Sequence, residues 1–290
     1  MNGLLVIDKP SGMTSHDVVA IVRRAAGERS VGHLGTLDPM ATGVLPLLFG
    51  KYTRLAQFFG AAEKSYTGEI QFGWSTDSFD AEGERTSEPQ SLAMTLAELQ
   101  ALATKFRGEI EQMPPIFSAK KINGVPAYKL ARAGKEAPVK AARITIHDFV
   151  LTGLEGERAS FRMHVSAGGY VRSVAHELGQ LAGCGAHLAV LRRTLAGPFT
   201  LPGALSIELL KTLSVEEIGE RLIHARSLLP EMPAVIVDEA IAGRIRNGMQ
   251  VNVPDFSRAP LVKLFTTPSD LLAIGKRVAG TLVQPTVVIG

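Results

Sequence analysis

Between Gly32 and Leu45 the chain reads Gly-His-Leu-Gly-Thr-Leu-Asp-Pro-Met-Ala-Thr-Gly-Val-Leu, and no other stretch constrains the fold as much. Gly32, Gly35, Pro39 and Gly43 mark it as a loop. Proline at 39 biases the residue before it toward extended backbone angles, and the glycines allow turns and the close approach of another molecule. Asp38 is therefore presented by loop backbone, not buried in a helix, and can act on a substrate. The same composition also suits a turn whose aspartate bonds its own backbone, and the loop alone leaves both readings open.

The chain of 290 residues gives this loop an ordinary globular setting, with 46% hydrophobic and 20% charged residues. The length suits one large domain or two smaller ones. No 18 apolar residues follow one another and the N-terminal apolar run is short, so neither a membrane span nor a secretion signal is expected. A single cysteine, Cys184, excludes an internal disulfide and a multi-cysteine zinc site, and fits a reducing, cytoplasmic setting. Net charge is only +3, but it is unevenly spread. Residues 118–143 hold Lys120, Lys121, Lys129, Arg132, Lys135, Lys140 and Arg143 against Glu136 alone, so the rest of the chain is slightly acidic. Such a run is either a solvated basic face or a grip for a polyanion.

Thr14 opens a helical pattern with Asp17 three residues on, and Val18, Val19, Ile21, Val22 and Ala25 carry it to Gly27. Residues 65–72 alternate instead, with Tyr66, Gly68, Ile70 and Phe72 on one face, and read as a strand. Thr95-Leu96-Ala97-Glu98 is a capping box for a helix ending at Gly108. Residues 144–150 and 161–165 read as strands. Residues 170–181 read as a helix with Val171, Val174, Leu178 and Leu181 as its apolar stripe, broken by Gly183 and Gly185. A further helix opens at Ser214 and is expected to run to about Leu229, before Pro230 and Pro233 mark a domain boundary. Beyond it, residues 234–237, a short helix from Asp238 to Asn247-Gly248 and strands near 249–253, 261–265, 271–274 and 282–289 make a small β-rich module. Strands and helices do not alternate regularly, so the expected class is α+β, with a mixed, largely antiparallel sheet flanked by helices.

The motif Gly32-His33-x-Gly35-Thr36-Leu37-Asp38-Pro39-x-Ala41-Thr42-Gly43 resembles the active-site loop of the bacterial TruB tRNA pseudouridine synthases. As in that family, it follows Asp8-Lys9-Pro10-x-Gly12-x-Thr14-Ser15. Further matching segments come in order: Lys64-Ser65-Tyr66, Thr76-Asp77-Ser78-Phe79-Asp80, Pro114-Pro115-Ile116-Phe117-Ser118-Ala119, Gly169-Tyr170-Val171-Arg172, Gly185-Ala186-His187-Leu188 and Leu191-Arg192-Arg193-Thr194. The likeness spans roughly residues 3 to 230 and implies a pseudouridine synthase fold. Residues 1–230 would be the catalytic domain, with 118–143 as a basic RNA-gripping insertion, and 231–290 a module similar to PUA-like RNA-binding domains.

The resemblance also implies an activity, conversion of uridine 55 in the tRNA T-loop to pseudouridine. Asp38 would be the nucleophile, Arg172 its bidentate partner, and Tyr66 the residue that stacks on the uracil and joins in its proton transfer. His33 would fill the stack vacated by a flipped base. Tyr170, Leu191, Lys9 and Asp80 match the remaining pocket positions, with Lys9-Pro10 supporting the Asp38 loop. Lys120, Lys121 and Lys129 would hold phosphates. No cofactor, metal, membrane or protein partner is implied, and a monomer is expected. The chain departs from the family pattern at Ser78-Phe79 and at Gly169, where a threonine is common, and both departures bear on local loop geometry.

Other motifs fail on inspection. His176-Glu177 lacks the second zincin histidine because position 180 is Gln180; Lys64-Ser65 lacks the glycines of a phosphate loop; and residues 183–188 lack the third glycine of a dinucleotide fingerprint. Two rival functions stay open at this level: a non-catalytic RNA-binding or RNA-folding protein on the same scaffold, and a subunit of a guide-RNA complex. The Met40-Ala41-Thr42 form of the loop resembles the bacterial enzymes more than the guide-dependent ones.

Overall fold

The computed structural model describes residues 1–117, 140–255 and 257–290, together with the backbone of 121–122 and 125–126. Its frame is a ten-stranded sheet. In spatial order the main path is β12 (Leu205–Ser206), β1 (Gly3–Lys9), β3 (Thr42–Phe49), β10 (Ala186–Ala196), β4 (Lys64–Phe72), β9 (Arg158–Val165), β8 (Ala142–Glu155) and β5 (Gly108–Gln112). β2 (Val31–His33) adds to β3, and β11 (Phe199–Thr200) to β10. The β1/β12 and β3/β10 pairings are parallel and the others antiparallel, which makes the sheet mixed and largely antiparallel as expected. β6 (Lys121–Ile122) and β7 (Val125–Pro126) form a separate ribbon.

Helices α1 (Ser15–Ala26), α2 (Leu96–Ala103) and α3 (Val171–Ala182) cover one face through a core that includes Val18, Val22, Leu99, Val174 and Leu178. α1 starts at the Thr14 capping box and stops where Gly27 takes the left-handed conformation, φ 61°. α2 starts at the Thr95 box, and its last turn tightens to a 3-10 segment at Thr104–Phe106 before Gly108. In α3, Val171, Val174 and Leu178 are buried as the spacing predicts, whereas Leu181 is exposed and Ala175 takes its place inward.

β1 and β3 lie between two apolar layers. Leu5, Ile7, Leu45, Leu47 and Phe49 join the helical core, while Leu4, Val6, Val44 and Leu48 join a second core on the other side. That second core also contains Phe265, Leu271, Ile274 and Val287 from a five-stranded C-terminal sheet, ordered β13 (Ala234–Ile236), β15 (Leu261–Phe265), β16 (Leu271–Ala279), β17 (Leu282–Val288) and β14 (Val251–Asn252).

One expectation fails here. The helix opened by Ser214 ends at Glu220 instead of running on to Leu229. Ile223 bridges to Leu4 by two backbone hydrogen bonds, N to O 2.7 Å and O to N 3.0 Å, so the chain turns extended to reach the sheet. The loop bearing Asp38 bridges β2 to β3.

Candidate active site

The loop is fastened along its whole length. Every carbonyl from Gly35 to Ala41 accepts a hydrogen bond: Gly35 and Thr36 from the Arg193 guanidinium, Leu37 from Ser15 Oγ, and Asp38 from Ala41 N. Pro39 accepts from Gly12 N and Lys9 Nζ, Met40 from Ser11 Oγ, and Ala41 from Lys9 Nζ at 2.6 Å. Polar groups tied this way lock the backbone that carries them. Gly43 lets β3 come against β10 beside the loop, because at φ 103° a Cβ there would sit 2.2 Å from Arg193 O.

From this loop Asp38 faces Arg172 in the first turn of α3. Arg172 Nε lies 3.0 Å from Asp38 Oδ2, and Nη2 donates to Oδ1 at 3.2 Å. The guanidinium is itself pinned: Nη1 donates to Ser78 O at 3.0 Å and lies 3.3 Å from Asp80 Oδ2, and Nη2 also donates to Phe117 O at 2.9 Å. Arg172 and Asp80 are buried, while a third of the Asp38 side chain remains exposed. Asp38 bonds the guanidinium, unlike the self-bonded turn aspartate that the loop composition also allowed. Burial pushes the Asp38 carboxyl above its ordinary pKa; Arg172 opposes this, Asp80 adds to it, and Lys9 opposes it more weakly.

The exposed side of Asp38 opens into a cleft of about 470 Å³ that Tyr66, Tyr170, Arg172 and Leu191 also line. Five residues named from the sequence therefore meet in one cleft. Asp80 and Lys9 do not line it. Asp80 sits behind Arg172, and Lys9 is fully buried with its ammonium on the carbonyls of Pro10, Pro39 and Ala41. Burial lowers the Lys9 pKa to about 8, against the attraction of Asp38. Lys9 is thus placed as a support of the loop and does not line the pocket among whose positions the resemblance put it. His33 ends β2 outside the cleft lining, half-buried beside His16 at a ring separation of 5.4 Å, and burial pushes its pKa down. Lys120 and Lys129, and the side chain of Lys121, lie outside the described residues.

The chain also matches known proteins over its length. A model described as the TruB family pseudouridylate synthase N-terminal domain covers residues 23–171, and one described as the tRNA pseudouridylate synthase B C-terminal domain covers 172–230. The chain belongs to the TruB pseudouridine synthase family. Curated tRNA pseudouridine synthases B resemble it closely: that of Solibacter usitatus is 47% identical over 293 residues and all of both chains, and that of Opitutus terrae is 44% identical over 80% of this chain and 96% of its own. The crystal structure of the archaeal box H/ACA sRNP Nop10–Cbf5 complex contains a chain similar over 99% of this one and 86% of its own, with TM-score 0.70 and 25% identity. The protein is a tRNA pseudouridine synthase with the pseudouridine synthase fold and a β-rich C-terminal domain.

Several supports of this TruB site were given no role from the sequence. Arg193, 1% exposed on β10, holds the loop as described and also donates to Val44 O at 2.7 Å. Gln112 brackets Tyr170, accepting from its N at 2.7 Å and donating to its O at 3.0 Å, and so sets the start of α3. The two departures from the family pattern now have structural explanations. Phe79 takes φ 65° and stacks on His176 with ring centroids 3.9 Å apart, which turns Ser78 O and Asp80 toward Arg172. At Gly169 a Cβ would meet Val165 Cγ2 at 2.6 Å, so this chain's packing excludes a side chain there.

Proposed function

We propose that this synthase isomerises uridine 55 in the T-loop of tRNA, with Asp38 as nucleophile on a uridine flipped out of the RNA. The observation that carries this reading is the Asp38–Arg172 pair, a carboxylate gripped on both oxygens by one guanidinium and still open to a cleft. The reaction detaches uracil from its sugar, rotates it and rejoins it through carbon with no net hydrolysis. A carboxylate can attack the ribose or the base, or stabilise a sugar-centred cation, and can then help remove a proton. Arg172 orients Asp38 and favours its charged form against burial. Tyr66 stacks on the uracil and takes part in its proton transfer, with Leu191 and Tyr170 completing the pocket. Asp80 acts through Arg172. Flipping leaves a gap in the RNA stack at a cost of a few kcal/mol, and His33, which burial favours in its neutral form, fills that gap.

In this reading residues 1–230 are the catalytic domain, and the basic 118–143 segment with Lys120, Lys121 and Lys129 grips phosphates. Residues 231–290 act as a PUA-like RNA-binding domain. The enzyme works in the cytoplasm as a monomer, without a protein partner. A relative named tRNA pseudouridine synthase B, 47% identical over all of both chains, supports the stand-alone tRNA reading. The test is to incubate the purified chain with an unmodified tRNA transcript and map pseudouridine. Product at position 55 from the wild type, and none from an Asp38→Asn variant that still binds the transcript, is the expected result. Product from Asp38→Asn would remove the nucleophile assignment, modification elsewhere the site assignment, and dependence on an added protein the stand-alone reading.

A further inference from the structure

Away from the cleft, three side chains converge that the reaction does not use. Glu63 precedes β4, His147 lies on β8 and His164 on β9. The two histidines aim their Nε2 atoms at different oxygens of the one carboxylate, each at 2.9 Å, with the imidazoles 5.0 Å apart. One donor atom from each residue lies within 4.8 Å of the other two.

We propose that Glu63, His147 and His164 bind a divalent transition cation of the zinc type. The fold builds this convergence. The β8/β9 register slips between Ile146 and Asp148, so His147 is the extra residue of a bulge, a device that re-aims a side chain. His164 Nδ1 is bonded to Ser65 Oγ at 2.8 Å, which directs Nε2 at Glu63, and such an outer partner is what orients a metal-bound imidazole. Glu63 is held by its own carbonyl, which accepts from Gly197 N at 2.8 Å. Two imidazoles and a carboxylate suit zinc, with water in the fourth position; calcium or magnesium would need more oxygens. A tetrahedral ion with bonds of about 2.0–2.1 Å spaces its donors about 3.3 Å apart. The 2.9 Å separations then widen by a few tenths of an ångström. That shift is open to side chains whose relative exposures are 49%, 38% and 32%.

Ser65 pairs with His164 and Tyr66 with Met163, and successive strand residues face opposite sides. Tyr66 lines the catalytic cleft, so the cation site lies on the reverse face of the sheet. There the ion would tie the start of β4 to β8 and β9, acting on stability and not on chemistry.

The test uses the full chain without a polyhistidine tag, stripped with a chelator and titrated with zinc chloride against a chromophoric competitor. One equivalent is expected to bind and to raise the melting temperature. His147→Gln and His164→Gln should each weaken binding by about tenfold or more and remove the thermal shift. Pseudouridine formation by the zinc-free wild type and by both variants should stay equal. Glu63→Gln, which removes the anionic donor while keeping the side chain's shape, gives an independent readout, and circular dichroism checks that each variant is folded. Binding that persists undiminished in the His147→Gln/His164→Gln double variant would overturn the assignment. So would a wild type that takes up no more zinc than that variant, or a thermal shift that magnesium reproduces.

Discussion

Arg172→Ala separates the work done on the carboxylate from the work of holding RNA. The side chain is 6% exposed, and three of its nitrogens serve two carboxylates and two carbonyls. Deleting it leaves Asp38 and Asp80 with only the weaker attraction of Lys9 as counter-charge and removes the donor to Ser78 O and Phe117 O. Removing one partner of a buried ion pair costs about 3–5 kcal/mol. The lower end applies here, because a third of the Asp38 side chain is open to water. Against a total stability of about 5–15 kcal/mol the variant should still fold.

Turnover should suffer far more. Loss of a single preorganised donor typically costs about 10²–10³ in rate, and Arg172 supplies two donors to Asp38. Its burial keeps it from bearing much of the RNA affinity. The pH profile sharpens the test. In its proposed role Asp38 must be ionised, so activity should fall as pH drops through its folded pKa, which burial already holds above the ordinary carboxylate value. Taking away Arg172 removes the largest opposing influence while the Asp80 repulsion remains, so the acid limb should move further toward alkaline pH. Single-turnover pseudouridine formation across pH, alongside equilibrium binding of the same transcript, measures both quantities. Arg172→Lys, which keeps a charge but loses the fork, should fall between wild type and alanine. Equal losses in turnover and affinity, or an unmoved acid limb, would refute the reasoning.

Lys9→Met strips the donor from the Pro10 and Ala41 carbonyls, at about 1–3 kcal/mol each, and should lower turnover by loosening the Asp38 loop. Because the folded pKa of Lys9 is about 8 against 10.5 ordinarily, the unfolded chain holds that proton over a range in which the folded chain releases it. Wild-type stability relative to Lys9→Met should therefore rise from about pH 8 toward 10.5 in denaturant titrations, and a flat difference would contradict the assignment. Neutralising Lys120, Lys121 and Lys129 together should weaken tRNA binding and flatten its dependence on salt, read as the slope of log affinity against log salt; an unchanged slope would exclude phosphate contacts.

Within the large sheet, the strands readable in advance were those with one wet face. In β4, Tyr66, Ile70 and Phe72 are buried while Thr67 between them is exposed, so a period of two stands out. β1 and β3 are apolar on both sides, and their residues merge into runs where that period vanishes. β10 hides for another reason: register shifts at Leu188/Val190 and Arg193/Leu195 break its alternation, and two arginines interrupt it. Residues 221–229 have helix-like apolar spacing, yet pairing of Ile223 with Leu4 overrides it. The cleft residues themselves were legible because each sits in a dense local motif. Arg193 and Ser15 sit in such motifs too, yet their roles and that of Gln112 were not legible, because their partners become neighbours only after distant segments join, as where Arg193 meets Gly43 across β10 and β3. The same holds for the Glu63–His147–His164 cluster, whose members are far apart until β4, β9 and β8 align.

With seven successive carbonyls fastened between Gly35 and Ala41, Asp38 occupies a fixed point in space. An anvil of this kind does not yield to what is laid on it. The adjustments of shape needed to bring a glycosidic bond into line with Asp38 therefore fall to the nucleic acid. Transfer RNAs with pliant loops and those with stiff ones should then differ in how fast they react far more than in how tightly they are held.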